Sequence, residues 1–186
     1  MLIHWSSAIN TTHTLTADEI IKKLNLAAHP EGGWYRRTYE SEEKVGPPYI
    51  DRGQNQNRFL KTGIYYLLSG KQKSLLHRIK SDEMWHFYLG DPLTLVEITP
   101  TDASSPNEGH QLSQTILGTS LLQGEVPQYT VKKGSWFGGY LKKESGFCLV
   151  GCTVSPGFDF DDFEMACPSK LSEFKNHPIA RNLFPS

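Results

Sequence analysis

Apolar residues recur along this chain in two rhythms. Near the start, Ile20, Ile21 and Leu24 are spaced for one face of a helix and follow Thr16-Ala17-Asp18-Glu19. A Thr three residues before a Glu lets each side chain satisfy a backbone N–H that the first helical turn leaves unpaired. A short helix is therefore predicted from Ala17 to Leu24, packed on the outside of the fold. Beyond it come short runs rich in β-branched and aromatic residues: TGIYYLLS, KSLLHRIK, EMWHFYL, PLTLVEIT, QLSQTIL, PQYTVKK, SWFGGYL and FCLVGCTV, separated by Gly, Pro, Asp and Ser. These predict strands joined by turns. A set of this size closes into a sandwich or barrel, and the jelly roll is the arrangement that folds it into two Greek keys. Ser169 to His177 predicts a short final helix stopped at Pro178, which cannot continue the hydrogen-bond ladder. Two stretches, 41–57 and 101–110, are poor in apolar residues. The first is long for a compact domain, and loops of that length serve as lids or stay disordered.

Length and charge narrow the function classes. The 186 residues fit a single domain, with a barrel over about 30–165 and helical flanks on either side. A formal net charge of -1, without a Lys/Arg block, argues against nucleic acid and makes a small or neutral ligand the default; the candidate site residues below would suit a sugar-like or anionic one. The opening MLIHWSSAIN lacks a basic region followed by an apolar run, and no stretch approaches the roughly 20 apolar residues that span a bilayer. A cytoplasmic protein with no membrane partner is expected. Cys148 and Cys152, four apart in one strand-like run, would lie about 13 Å apart on one face, too far to bridge. With Cys167 they make an odd set that fits reduced thiols, Cys148 and Cys152 as buried small apolar residues of a strand.

Candidate chemistry is concentrated between Lys71 and Gly90. Alternation along a strand puts His77 and Ile79 on one face and Glu83, Trp85 and Phe87 together on a face of the next, with His86 opposite unless a bulge near Met84 reverses it. His77, Ile79, Glu83 and Gly90 stand at the intervals of the first motif of a cupin barrel, with Ile79 in place of its second His. Lys132, Gly134 and Phe137 stand where the second motif carries Pro, Gly and His. Together with HPEGGWYR at 29–36, LHRIKSDEMWHFYLG at 76–90, GCTVSPGFDFDDF at 151–163, and Gly118, Gln128 and Trp136, they make the chain resemble the cupin superfamily. The closer resemblance is to its family of unknown function 985, or cupin-5, from about Leu24 onward. Ala28 departs from the Pro more usual there. The resemblance implies a mainly β fold, a cupin-type double-stranded jelly-roll β-barrel with a short helix at each end. It also implies a homodimer of unassigned function, and invites comparison with sugar-nucleotide epimerases and phosphosugar isomerases that share the barrel.

Of the four usual metal positions only His77 and Glu83 remain, and a catalytic metal site ordinarily has three protein ligands. No metal or other cofactor is therefore expected, unless His86 or a Tyr or Gln from another strand completes the set. His77 and Glu83 are the candidate catalytic pair, a base and an acid. Glu31, beside two glycines, is either a ligand contact or a solvated turn residue. Arg36 and Arg58 are candidate anion clamps, and Tyr66, Trp85 and Trp136 a candidate stacking wall. His86 and Gln128 are further candidate contacts. In PGFDFDDF, alternation puts Asp159 and Asp161 on one face, where a carboxylate would hold His77 or an arginine in position. Three functions remain open. The first is a metal-independent isomerase or epimerase acting on a sugar, sugar phosphate or nucleotide sugar. The second is a metabolite-binding module without catalysis. The third is a metal-dependent oxygenase or isomerase.

Overall fold

The fold begins as the spacing at Thr16 predicts. In the computed structural model, which describes residues 15–46, 57–101 and 109–185, the Thr16 hydroxyl accepts from Glu19 N–H and the Glu19 carboxylate accepts from Thr16 N–H. Helix α1, Ala17–Leu24, runs from this cap to Asn25, whose left-handed backbone ends it. The strands are β1 Ala27–Ala28, β2 Trp34–Glu40, β3 Lys44–Val45, β4 Arg58–Phe59, β5 Thr62–Ser69, β6 Lys73–Arg78 and β7 Asp82–Gly90. They continue as β8 Leu93–Pro100, β9 His110–Leu117, β10 Gln128–Val131, β11 Trp136–Leu141, β12 Phe147–Ser155 and β13 Glu164–Met165. Every apolar run singled out in the sequence holds one of them.

Two antiparallel sheets make the jelly roll. One has the order β1-β2-β5-β12-β7-β10 and the other β13-β6-β11-β8-β9, with β3 and β4 paired apart from both. Between the sheets, Tyr66, Leu68, Trp85, Val150 and Cys152 of the first meet Leu93, Leu95 and Phe137 of the second. The outer faces are covered by the two ends of the chain. Ile20 of α1 and Leu26 pack on Leu67 and Leu149, while Leu171, Phe174, Ala180 and Leu183 pack on Leu76, Val96, Ile98 and Trp136. Each such side chain contributes about 1.5–3 kcal/mol by leaving water. Alternation in β12 is legible in this division, since Leu149 faces the helix while Cys148 and Cys152 face the interior as free, buried thiols.

The final helix takes a different form from the one predicted. Ser172–Phe174 and Arg181–Leu183 are 3-10 turns rather than one α-helix. With three residues per turn, Leu171 and Phe174 fall on the same side and both reach the sheet. Much of the two polar stretches, 47–56 and 102–108, lies outside the described residues, and with it the choice between a lid and a disordered segment for 41–57; residues on either side of 47–56 are joined by the β3–β4 pairing. Among the described residues no helix is long and apolar enough to cross a membrane.

Candidate functional site

The HPEGG turn joins β1 to β2 and carries the centre of the site. Gly32 has φ +106°, and a Cβ there would lie 2.1 Å from the carbonyl oxygen of Lys73, so only glycine lets the turn press against β6. The close approach is therefore to the protein's own strand, not to a ligand as the two glycines suggested. Leu75 N–H donates to the Glu31 carbonyl at 2.9 Å, and this docking carries the Glu31 side chain inward, 5% exposed. Glu31 is thus no solvated turn residue.

Its carboxylate meets three side chains. Oε1 accepts from the Ser74 hydroxyl at 2.7 Å, and Oε2 lies 3.1 Å from His77 Nε2 and 3.5 Å from His29 Nδ1. Ser74 and His77 are three apart, a spacing that regular alternation puts on opposite faces. The register of β6 against β11 shifts between Phe137 and Gly139, and that irregularity brings both to Glu31.

Hydrogen-bond partners fix where the protons are. His77 Nδ1 is 2.7 Å from the Leu75 carbonyl oxygen, which only accepts, so Nδ1 carries hydrogen. A neutral His77 would then present a bare Nε2 to the Glu31 carboxylate. Two lone pairs at 3.1 Å repel, whereas a hydrogen in that gap makes a hydrogen bond between Glu31 Oε2 and His77 Nε2. His29 Nδ1 accepts from the Glu31 backbone N–H at 3.3 Å. Burial lowers the His29 pKa against the upward pull of Glu31, with His77 adding to the lowering, so this second imidazole favours its neutral form.

Glu83 and Trp85 come from the inward face of β7, as alternation predicts, and Tyr66 from β5. Burial, and then the nearby Glu31 charge, pushes the Glu83 carboxyl up to about 8, with Cys152 hydrogen-bonded to it as the opposing influence. Burial also raises the Cys152 thiol and the Tyr66 phenol well above their ordinary values. Tyr66 donates to the Gly32 carbonyl at 2.7 Å, which ties the turn to β5. These groups line a cavity of about 40 Å³; all the space between its walls, open solvent included, is about 490 Å³. Arg37 and Phe158 stand at the mouth, where Arg37 bonds Glu40 and the Phe158 carbonyl.

Several expected contacts lie elsewhere. Arg36 points out of the sheet over the Tyr65 ring at 5.7 Å, because Trp34, two residues before it, is turned toward α1; the inward arginine of β2 is Arg37. Arg36 lines an outer groove of about 420 Å³ that shares Tyr35, Arg37 and Phe158 with the mouth. Arg58 is buried against Asp162, Nε to Oδ2 at 2.9 Å, and is no clamp of this cavity. Trp136 is on the outer face of its sheet beneath the Arg78 guanidinium. His86 and Gln128 bond each other on the outer face of the other sheet, where His86 also meets Thr153. Asp159 and Asp161 do not follow strand alternation, since Phe160–Asp162 is a 3-10 turn capped by Asp159. Asp159 faces the outer groove and Asp161 a separate one beside Lys80 and Lys133. The carboxylate against His77 is Glu31.

His29 and Arg37 were missed in the sequence, although both sit in or next to the HPEGGWYR segment. The signal for Arg37 was the alternation from Trp34, and for His29 the segment alone. The usual cupin metal set does not fit these residues. Ile79 is core, Phe137 packs its ring 4.1 Å from that of His77, and no group of three His, Cys, Asp or Glu among the described residues is arranged to hold a metal ion.

Residues 18–166 match the family described as the cupin superfamily, DUF985. A solved protein from Shewanella oneidensis is 39% identical over 92% of this chain and 99% of its own, with a TM-score of 0.77. A hypothetical protein from Leishmania major is 33% identical over 92% of this chain and 100% of its own, with a TM-score of 0.78. A cupin 2 domain-containing protein from Halorhodospira halophila, 9% identical with a TM-score of 0.50 over 86% of this chain and 88% of its own, shares the fold. No curated protein matches the chain.

Proposed function

The chain belongs to the DUF985 family of the cupin superfamily, and from that premise we propose that it binds a small, sugar-like molecule in the barrel cavity and moves a proton on it. The observation that carries this reading is the approach of Glu31 Oε2 to His77 Nε2 at 3.1 Å in the barrel cavity, with His77 Nδ1 at 2.7 Å from the Leu75 carbonyl oxygen. In the form with a His77 imidazolium and a Glu31 carboxylate, Oε2 is a positioned base. It takes a hydrogen from the carbon next to a carbonyl; the C–H electron pair becomes the C=C bond of an enol, and the carbonyl oxygen takes a proton from Glu83. Glu83 suits the acid role because it keeps its proton at neutral pH. Return of the proton to the opposite face of that carbon, with the enol O–H giving its proton back to Glu83, gives epimerisation; in an enediol, its delivery instead to the former carbonyl carbon, with the neighbouring hydroxyl giving its proton to Glu83, gives isomerisation. His77, expected to be the base, serves here through Glu31, since both its ring nitrogens are engaged.

The test is hydrogen exchange of dihydroxyacetone in heavy water. The protein is expected to speed exchange at the carbon-bound positions. Glu31→Gln should slow it by about 100-fold or more while binding, read by thermal shift, changes only a few fold. The engagement of both His77 nitrogens also favours a second reading, a binding module without catalysis. A ligand that raises the melting temperature yet shows no exchange above buffer would select it. The homodimer implied by the resemblance belongs to this proposal, and sedimentation as a monomer alone would remove it.

A further inference from the structure

The indole nitrogen of Trp85 is buried and has no hydrogen-bond partner among the described residues. The only other buried side-chain polar atom of this kind among them is the Thr94 hydroxyl, which rotates about its bond and does not line the cavity. An indole N–H is donor only and points where its ring points. The Trp85 ring is held edge-on between Tyr66, at 5.6 Å, and Phe137, at 6.4 Å. The residue is 1% exposed and lines the same cavity as Glu31 and Glu83. A fixed, dry donor is costly unless an oxygen reaches it, and in a cavity that oxygen comes from solvent or from a ligand that replaces it.

Charge and size say what kind of ligand. Among the described residues Arg37 is the only Lys or Arg lining the cavity, and it stands at the mouth, bonded to Glu40 and the Phe158 carbonyl. An anion entering would meet the Glu31 carboxylate, and in the proton-transfer form the His77 imidazolium beside it is already paired with that carboxylate. The cavity volume of about 40 Å³ holds a few water-sized groups, one water needing about 10–15 Å³. We infer that Trp85 is a ligand-binding residue whose indole N–H donates to an uncharged oxygen, the carbonyl or hydroxyl oxygen of a small hydroxycarbonyl head group. The placement of that head group rests on the proton-transfer reading above.

The experiment uses the full chain, labelled with nitrogen-15, and hydroxyacetone as the probe, with acetate as a charged probe of similar size. The Trp85 indole signal is identified by its loss in Trp85→Phe, which keeps an aromatic ring in place. Hydroxyacetone is expected to move the indole proton downfield by more than acetate at equal concentration, and to bind Trp85→Phe about three- to tenfold more weakly, the loss of one neutral hydrogen bond. If Trp85→Phe fails to fold, the wild-type spectra still decide, with the indole signal that hydroxyacetone moves assigned to Trp85 by single Trp→Phe variants at Trp5, Trp34 and Trp136, each of which leaves it in place. If hydroxyacetone moves His29 and His77 signals but not the Trp85 indole, the cavity is the binding site and the donor role is overturned. If acetate moves the indole at least as strongly, the uncharged class is overturned. If no cavity signal moves with either probe, this inference and the proton-transfer reading fail together.

Discussion

Glu83 shows how one residue ties the site to the stability of the chain. Its folded pKa is raised from 4.5 to about 8, burial being the main cause. Between those values the unfolded chain has released a proton that the folded one keeps, so this residue makes stability fall as pH rises across that window, and its contribution is complete below about 4.5. Glu83→Gln, which keeps shape and removes the titration, should flatten the stability profile from pH 4.5 to 8 and raise stability at the upper end by a few kcal/mol, about 1.4 kcal/mol per pKa unit. Chemical denaturation across that range measures it, and parallel profiles for both proteins would mean that Glu83 ionises normally. The residue was visible in the sequence because its spacing from His77 and its place in an alternating run both survive in the fold. Its partner was not. Glu31 lies 46 positions from His77 in a turn, and only the docking of that turn on β6 brings the two together.

At the scale of elements, the segment after β12 is held to the barrel by Arg58. The β4 residue forks onto Asp162, Nε to Oδ2 at 2.9 Å and an Nη nitrogen to Oδ1 at 3.1 Å, with both side chains buried. That contact anchors the turn carrying Phe160 and Phe163, whose rings pack about His29. Arg58→Met leaves a buried carboxylate short of its main partner and should destabilise the fold by about 3 kcal/mol. Arg58→Met with Asp162→Leu should recover most of that loss. A loss below about 0.5 kcal/mol in the single variant, within the range of surface pairs, would show that the pair does not hold the segment. Strand alternation served well in β5, β7 and β12, where one face meets the core. It failed at 158–163, because a 3-10 turn replaces the expected strand, and across β6, where a bulge shifts the register.

The cavity is built across both sheets: β2, β5, β7 and β12 supply walls from one, and His77 of β6 comes from the other. A ligand seated there should stabilise the whole molecule, by about 2.7 kcal/mol at 100 times its dissociation constant. Backbone hydrogen exchange should then slow together in β5, β6, β7 and β12, whereas protection confined to the outer groove would place the ligand outside the barrel. The helix, the run of strands and the shared face of Glu83 and Trp85 were readable from the chain alone, because they depend on local spacing, whereas the stacking wall expected from aromatic residues included Trp136, which packs on the outer face. The jelly roll itself followed from the resemblance of several motifs in order. Contacts between residues distant in sequence were not readable: Glu31 with His77, Arg58 with Asp162, Arg37 rather than Arg36 at the mouth. These depend on register, on a bulge and on which face α1 covers. Such choices are made by packing among several elements at once, and no local window of sequence contains them.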